Sequence, residues 1–407
     1  MPLKELEAAL SRELDALAGE GRAKAPERVI NGYIPAQNGY GPRYHLQGSD
    51  TAFLRMNSNS YLSLAHHPKL IEAADRATHQ FGVGPGAVRF IDGTYSYHRE
   101  LEERIAEFTG KPAAKIFNSA YTANCGLALT ISSRKTHWIG DQLNHNSIIR
   151  AMRIAGVARN NKGIFKHNDM GDLRRCFEEI DDSIDRVIVI CDGVYSMRGD
   201  IAPLQSIEEI AGSHAGRFRE GVVTVVDDSH GIGAYGNSGR GTPEYCKSQP
   251  DIIVGTFGKA FGVNGGFIAA SQTVIEAVRQ KADTYIYTNP LSVADCAAAT
   301  AAIDLCDGRE GRQRLATLGS RQRQFREGLE KRGLESIEGP HPVIPLMVRD
   351  TERTKQMVGR LYDAGILTVG LTFPVVPQGD ESIRFQINAA HTSADIDYVL
   401  STIEDVI

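Results

Sequence analysis

The segments VVTVVDDSHGIG at residues 222–233 and IIVGTFGKAFG at residues 252–262 decide the fold. Each begins as a continuous run of apolar residues, which is typical of a parallel strand covered by helices on both faces. Val187–Cys191 is a third such run, and intervals of about 30 residues fit strand–helix–strand units. Because ligands bind at the carboxyl ends of parallel strands, the polar residues that end each run mark the expected place for chemistry.

Outward from these segments, the chain is predicted to be an α/β protein with a smaller second domain. Residues 59–289 alternate short apolar runs with helical periods, which predicts a large domain built on a mostly parallel sheet. Residues 290–407 begin with long helical stretches and then alternate strand and helix, which indicates an α+β C-terminal domain. Residues 1–58 are expected to form an amphipathic helix over residues 1–20 and an arm that is irregular to about Tyr44 and strand-like at Phe53–Met56.

The composition is that of an ordinary globular protein. The chain has 407 residues, 42% of them hydrophobic, and a net charge of -5, so no basic field attracts nucleic acid or an anionic membrane. It contains no run of about 18 apolar residues, and its first residues lack the apolar core of a signal peptide. Six cysteines without metal-ligand spacing predict reduced thiols, a cytoplasmic location and no metal site.

The strongest chemical signal is the order in which Asp227, His230 and Lys259 follow the two quoted strands. A lysine in a turn of small residues can form an imine with an aldehyde, because glycines let the backbone approach a cofactor. Asp227, at the end of an apolar strand, needs a cation such as a protonated pyridine nitrogen. His230 can reach the phenolic oxygen of the same ring. Each residue alone could be a turn cap or a solvated side chain, but the ordered set predicts a pyridoxal phosphate enzyme.

Weaker signals are consistent with the same site. The polar turn Asn118–Asn124 precedes a helix and could supply amides to a phosphate, with hydroxyls from Ser196 and Thr256, although such clusters are usually simple N-caps. His145 could stack on the cofactor ring, or it could be a surface or packing histidine. Arg384 lies inside an alternating strand, where a guanidinium could bind a substrate carboxylate or could be exposed on an edge strand.

These motifs resemble the α-oxoamine synthases, a group of fold-type I pyridoxal-phosphate enzymes that join an amino acid to an acyl-CoA. The resemblance is collinear from about Pro42 to Ile403 and includes the following motifs: Asn59-Ser60-Tyr61-Leu62, Gly93-Thr94 with His98 and Leu101-Glu102, Asp141 with Asn144-His145, Asp192-Gly193-Val194-Tyr195-Ser196-Met197, Asp227-Asp228-Ser229-His230, Gly255-Thr256-Phe257-Gly258-Lys259 and Ala389-Ala390-His391-Thr392. So many motifs in the same order make a chance match improbable.

The resemblance implies a role for each candidate residue. Lys259 would be the Schiff-base lysine and the base for the substrate α-proton, while Asp227 would pair with the pyridine nitrogen and His230 with the phenolic oxygen. His145 would stack on the ring and help to protonate intermediates. The remaining implied cofactor contacts are the backbone amides of Ala120 and Tyr121, the side chains of Ser196 and Thr256, and Tyr287 and Thr288 across a homodimer interface. Asn59 and Arg384 would bind the amino acid's carboxylate.

Within the group, the chain looks most like the glycine C-acetyltransferases, also called 2-amino-3-ketobutyrate CoA ligases, in segments 87–93 and 373–379. The resemblance implies condensation of glycine or another small amino acid with an acyl-CoA, giving an α-amino ketone or a β-keto amino acid. Asp92 and the short loop after Lys259 depart from that pattern, which leaves both substrates open. The alternatives are an 8-amino-7-oxononanoate synthase, a secondary-metabolite synthase with a longer acyl donor, and an aminotransferase. The retained Lys259, Asp227, His145 and Arg384 disfavour a non-catalytic protein.

Overall fold

A computed structural model describes residues 2–407, which divide into two compact units. Unit 1 contains the chain up to residue 58 together with residues 320–338 and 342–407, and unit 2 contains residues 59–319 and 339–341. The strands are β1 (Ile30–Ile34), β2 (Arg43–Leu46), β3 (Ala52–Arg55), β4 (Ala113–Phe117), β5 (Thr136–Asp141), β6 (Lys162–Phe165), β7 (Arg186–Asp192), β8 (Val222–Asp227), β9 (Ile252–Thr256), β10 (Gly266–Ala270), β11 (Val343–Met347), β12 (Ile366–Leu367), β13 (Val369–Leu371) and β14 (Ser382–Gln386).

The helices alternate with these strands through most of unit 2. They are α1 (Pro2–Gly19), α2 (Pro68–Phe81), α3 (Ser96–Thr109), α4 (Ala120–Ile131), α5 (Asn146–Ile154), α6 (Met170–Glu178), α7 (Leu204–His214), α8 (Thr242–Cys246), α9 (Gln272–Lys281), α10 (Asp283–Ile286), α11 (Val293–Asp307), α12 (Arg309–Glu330), α13 (Thr351–Asp363) and α14 (Ser393–Val406). Two short 3-10 turns occupy Arg159–Asn161 and Ala215–Arg217. In residues 2–407, no helix combines the length and the apolar character needed to cross a bilayer.

Unit 2 is built on a seven-stranded sheet with the order β4-β10-β9-β8-β7-β5-β6. Strands β5 to β9 pair in parallel, whereas β10 runs antiparallel to both β4 and β9. The three apolar runs of the sequence form β7, β8 and β9, which confirms the predicted mostly parallel sheet. In the register of β7 and β8, Asp192 lies opposite Asp227, so two strands deliver a carboxylate to the same edge.

The apolar runs are continuous because helices cover both faces of this sheet. Ile188 and Ile190 of β7 belong to the core on the face of α4 and α5, and Val187 and Val189 belong to the core on the face of α6 and α7. All four side chains are at most 2% exposed. Burying each such side chain stabilises the fold by about 1.5–3 kcal/mol, so the sheet forms a rigid base for its carboxyl edge.

Residues 290–319 belong to unit 2, whereas the sequence suggested that they begin the C-terminal domain. Helix α11 is Ala-rich, and its buried face packs against α2 and α3 of unit 2. An Ala-rich helix can pack closely against other helices. Its composition alone does not show to which domain those other helices belong. The sequence-based boundaries 1–58, 59–289 and 290–407 stay a prediction.

Unit 1 contains two smaller sheets, with the orders β1-β2-β3-β12 and β11-β14-β13. The predicted N-terminal helix is confirmed as α1, and its leucines Leu3, Leu6, Leu10 and Leu14 are 46–64% exposed. The arm expected to be irregular instead contains β1 and β2, which pair antiparallel. Both strands are short and at most partly buried over most of their length, so they lack the apolar alternation that reveals a strand.

Candidate active site

A cavity at the carboxyl edge of the unit 2 sheet gathers most of the candidate residues. Eight of the predicted cofactor and catalytic residues line it: Ala120, Tyr121, His145, Ser196, Asp227, His230, Thr256 and Lys259. The cavity is completed by Ser119, Ser147, Asp192, Val194 and Ser229. The carboxyl ends of the parallel strands lie at one edge of the sheet, so residues up to 140 positions apart in the sequence line the same cavity.

Asp227 ends β8 as a buried carboxylate held by uncharged donors. Its Oδ1 accepts from the Ser229 amide at 3.1 Å and the Ser229 hydroxyl at 2.5 Å, and its Oδ2 accepts from the Asn124 side-chain amide at 2.7 Å. The residue is 4% exposed. Neutral donors satisfy the oxygens of a carboxylate without cancelling its charge, so the arrangement suits a carboxylate that meets a cation in the cavity.

Two further carboxylates, Asp192 and Asp228, adjoin Asp227, and we call the three the Asp227 cluster. Burial raises the pKa of Asp192 well above its usual value, and repulsion by Asp227 adds to the rise. Asp192 accepts a hydrogen bond from the His145 backbone amide at 2.7 Å. Burial also raises the pKa of Asp228 to about 7, against the opposing effect of hydrogen bonds from Thr242. Burial thus makes it harder to ionise the two carboxyl groups that adjoin Asp227.

His145 is held at the start of α5 by a chain of hydrogen bonds that leads back to Asp227. The Ser147 amide donates to His145 Nδ1 at 3.3 Å, and the Ser147 hydroxyl lies 2.8 Å from the same nitrogen. The Asn124 side-chain amide donates to the Ser147 hydroxyl at 3.0 Å and to Asp227. Desolvation lowers the pKa of His145, although Asp227 acts in the opposite direction. A mostly neutral imidazole fixed at one edge suits both ring stacking and proton exchange.

Lys259 follows β9 in a turn that Thr256 holds closed. The Thr256 hydroxyl donates to the Gly265 carbonyl at 2.9 Å and accepts from the Gly258 amide at 3.1 Å. Gly262 has φ of +70°, and a Cβ there would lie 2.6 Å from the Ala65 backbone nitrogen, so the turn requires glycine at that position. Lys259 is half-buried and its amine reaches the cavity. The turn therefore presents a tethered amine beside Asp227.

The first turn of α4 forms another wall of the cavity. Ser119 is the N-cap, and its hydroxyl accepts from the Thr122 amide at 3.1 Å. The backbone N–H groups of Ala120 and Tyr121 lie in the first turn of α4, where an N–H group has no carbonyl partner within the helix. They are therefore available to an anion, and the helix dipole also favours an anion at this end. Strand β10 begins directly against this turn, because a Cβ at Gly266 would lie 2.2 Å from the Ala120 nitrogen. The phosphate-binding turn predicted from the sequence thus lies at the cavity, and its role in binding stays a prediction.

A second carboxylate cluster lies at the same edge of the sheet, and we call it the His167 cluster. The His167 imidazole lies between Asp141 at 3.1 Å and Asp200 at 2.9 Å, and Arg198 donates to Asp200 at 3.0 Å. Burial would lower the pKa of His167, but hydrogen bonds to the two carboxylates outweigh it and raise the pKa to about 9. The His167 ring also contacts the edge of Tyr195, with centroids 4.4 Å apart.

Four of the predicted site residues lie elsewhere. Tyr287 is 75% exposed, and the Thr288 hydroxyl accepts from Asn118 at 3.4 Å; neither residue lines the cavity of its own chain. Asn59 belongs to unit 2 and Arg384 to unit 1. Arg384 is on β14, the central strand of its sheet, so it is not the exposed edge-strand arginine that the sequence left open. The proposed roles of these four residues stay predictions.

The structure also adds residues to which the sequence assigned no role. Asn124, Asp192 and Tyr61 lie within motifs named above and Ser147 follows one, yet their partners are 23 to 169 positions away in the chain. For Asp192 at the end of a strand, and for Asn124 and Ser147 near the start of a helix, the polar type at that place was the available signal. The pairing itself could not be derived, because it depends on the sheet register.

Comparison with known proteins gives a consistent result. Residues 51–403 match the model of the family described as aminotransferase class I and II. An 8-amino-7-oxononanoate synthase from Geotalea daltonii is 39% identical over 87% of this chain and 88% of its own. The mitochondrial 2-amino-3-ketobutyrate coenzyme A ligase of Bos taurus is 34% identical over 99% of this chain and 93% of its own. A solved Sphingomonas wittichii serine palmitoyltransferase superposes with a TM-score of 0.87, at 26% identity over 99% of this chain and 97% of its own.

Proposed function

This chain belongs to the aminotransferase class I and II family and, within it, to the α-oxoamine synthases, and from that premise we propose that it condenses an amino acid with an acyl-CoA. The observation that carries the proposal is the cavity in which Lys259, Asp227, His230 and His145 meet the first turn of α4.

The donors around the cavity fit pyridoxal phosphate. Lys259 would hold its aldehyde, Asp227 its protonated ring nitrogen, and the amides of Ala120 and Tyr121 its phosphate. Asp227 fits because a buried carboxylate with only neutral hydrogen-bond donors is costly until a cation meets it. When bound, the cofactor supplies an electron-accepting ring that stabilises negative charge at the substrate's α-carbon.

The chain's own groups would then move protons and position the substrates. The Lys259 amine would take the α-proton of the amino acid, since it is a basic group that shares the cavity lining with Asp227. His145 would stack on the ring and return a proton, because the Ser147 amide donates to Nδ1 and so places the proton of a neutral imidazole on Nε2. Asp192 accepts a hydrogen bond from the His145 backbone amide and would so help to place the imidazole against the cofactor ring.

The proposal allows two alternative pairs of substrates, which we call the glycine branch and the alanine branch. The glycine branch, with a short acyl group, follows the 2-amino-3-ketobutyrate coenzyme A ligase relatives, and the alanine branch, with a longer acyl group, follows the 8-amino-7-oxononanoate synthase relatives. One methylene changes selectivity by only about 1–3 kcal/mol, so a direct assay must decide between the branches. We further propose a homodimer in which Tyr287 and Thr288 reach the neighbouring site, and an amino-acid carboxylate held by Asn59 and Arg384.

The test is a panel of glycine, alanine and serine, each offered with acetyl-CoA, pimeloyl-CoA and palmitoyl-CoA. Release of thiol is followed with dithionitrobenzoate, and the products are identified by mass spectrometry. We expect one pair to dominate, and we expect Lys259→Ala to abolish turnover while the exposed-helix control Lys69→Ala retains it. Failure of every pair to release thiol, with keto acid formed from the amino acid, would instead identify an aminotransferase.

A further inference from the structure

Three aromatic side chains of unit 2 form a buried group beside the cavity. Tyr61 and His341 are both 0% exposed, and His230 is 8% exposed. The Tyr61 hydroxyl lies 2.7 Å from His230 Nδ1, and the rings of Tyr61 and His341 meet edge to face with centroids 5.2 Å apart. His341 Nε2 donates to the His230 carbonyl oxygen at 2.9 Å. His230 is thus held at its side chain by Tyr61 and at its backbone by His341.

The distances around Tyr61 indicate where its hydroxyl proton lies. Two polar atoms near the hydroxyl are His230 Nδ1 at 2.7 Å and Asn59 Oδ1 at 3.3 Å. The first distance is typical of a strong O–H donor, and the second exceeds the normal range for a hydroxyl. Of these two atoms, Nδ1 is the better placed to accept the hydroxyl proton. A neutral imidazole that accepts at Nδ1 carries its own proton at Nε2, the nitrogen that points away from Tyr61.

We propose that Tyr61 is a positioning residue that fixes His230 in the tautomer with its proton on Nε2, so that His230 donates a hydrogen bond to the cofactor's phenolic oxygen. This inference rests on the proposed function, because it assigns the group that the cofactor meets. Without the Tyr61 hydroxyl, the imidazole can place its proton on Nδ1 and turn a lone pair toward the phenolate oxygen. Burial prevents water from replacing the hydroxyl, since Tyr61 is fully enclosed.

The test compares Tyr61→Phe with wild type as holoenzyme, at matched protein concentration. The phenolate form of the lysine-bound cofactor is read from the ratio of its visible to its near-ultraviolet absorption band across pH, and its dissociation constant is read by titration. We expect a lower proportion of the visible band and about tenfold weaker cofactor binding, as loss of one hydrogen bond to a charged system predicts. Tyr285→Phe, which also removes a buried hydroxyl but does not touch His230, should behave as wild type.

A double-variant cycle tests whether Tyr61 acts through His230. On a His230→Gln background, Tyr61→Phe should cause no further change in the spectrum or the dissociation constant. An equal effect on both backgrounds would overturn the proposal, as would a Tyr61→Phe protein with a wild-type spectrum and affinity. Thermal melting of each apoprotein excludes misfolding as the cause. If wild type itself develops no visible band and yields no borohydride-trapped adduct on Lys259, the proposed function fails first and this inference falls with it.

Discussion

The His167 cluster and the Asp227 cluster lie at the same sheet edge but are neutralised in different ways. In the His167 cluster, an imidazole between Asp141 and Asp200, with Arg198 beside it, supplies positive charge within 3.1 Å of both carboxylates. In the Asp227 cluster, the hydrogen bonds to Asp227 come from uncharged groups. The carboxylates of the first cluster hydrogen-bond to cationic side chains, while Asp227 hydrogen-bonds to neutral groups and lines a cavity.

This difference separates a structural ion network from a binding site. Both clusters contain buried carboxylates at strand ends, so burial and sequence position do not distinguish them. The distinguishing property is whether a cationic side chain hydrogen-bonds to the carboxylate. A carboxylate that has neutral donors and a cavity in front of it is arranged to meet a cationic ligand, whereas a carboxylate already paired with an imidazolium is arranged to hold two loops together.

The largest expected effect follows from replacing the Asp227 carboxylate with an uncharged group. Asp227→Asn should weaken cofactor binding by about 100-fold or more, because a buried cation would lose its partner. The measurement is a fluorescence titration of the apoprotein with pyridoxal phosphate. Asp251→Asn is the matched control, since Asp251 accepts from Thr224 and precedes β9, at the opposite edge of the sheet. Equal affinities for wild type and Asp227→Asn would remove the distinction between the clusters.

The next effect is on stability and belongs to the other cluster. His167→Gln should lower the free energy of unfolding by about 3 kcal/mol at neutral pH, because it leaves Asp141 and Asp200 facing each other without an intervening cation. Urea unfolding of the apoprotein measures the loss. Adding Asp200→Asn to this variant should cost less than the sum of the single changes. A loss below about 0.5 kcal/mol would show that the imidazolium is not required there.

The pH dependence of stability gives a somewhat smaller and independent test. The pKa of His167 is raised from 6.5 to about 9, so its contribution is complete below pH 6.5 and is lost as pH rises through 9. The pKa values of Asp141 and Asp200 are lowered, so their contributions are present above pH 3.8 and are lost as pH falls below it. The stability difference between wild type and His167→Gln should therefore shrink by about 2 kcal/mol between neutral pH and pH 10. A difference that stays constant over that interval would exclude His167 as the titrating group.

The sequence indicated Asp227 and the residues that share its cavity far better than it indicated the His167 cluster. Asp227, His230 and Lys259 directly follow apolar runs, and parallel strands bring such positions together without further information. His167 follows β6, a strand whose first three residues are not fully buried, and its partners are 26 and 33 positions away. A pattern of apolar residues does not encode which loops meet across the end of a sheet.

The same limit applies to features of the fold and of the site that the sequence did not predict. Strand β10 runs antiparallel between β4 and β9, and its direction cannot be seen in an apolar run of five residues. The pairing of Tyr61 with His230 spans 169 positions and depends on where the loop before α2 returns to the sheet edge. The polar residues that follow the end of a strand can therefore be predicted from the sequence. The long-range hydrogen bonds that position those residues cannot.

The smallest effect concerns the neutral donors themselves. Ser229→Ala removes the hydroxyl that lies 2.5 Å from Asp227 Oδ1 but leaves the amide of the same residue in place. The carboxylate should then lose one of its hydrogen bonds, and cofactor binding should weaken by about fivefold. Ser248→Ala, at another buried serine, should leave affinity unchanged. Tighter cofactor binding by Ser229→Ala would contradict this prediction. It would mean that the Ser229 hydroxyl competes with the cofactor's cationic ring nitrogen for the Asp227 carboxylate, so that neutral donors do not prepare Asp227 for its ligand.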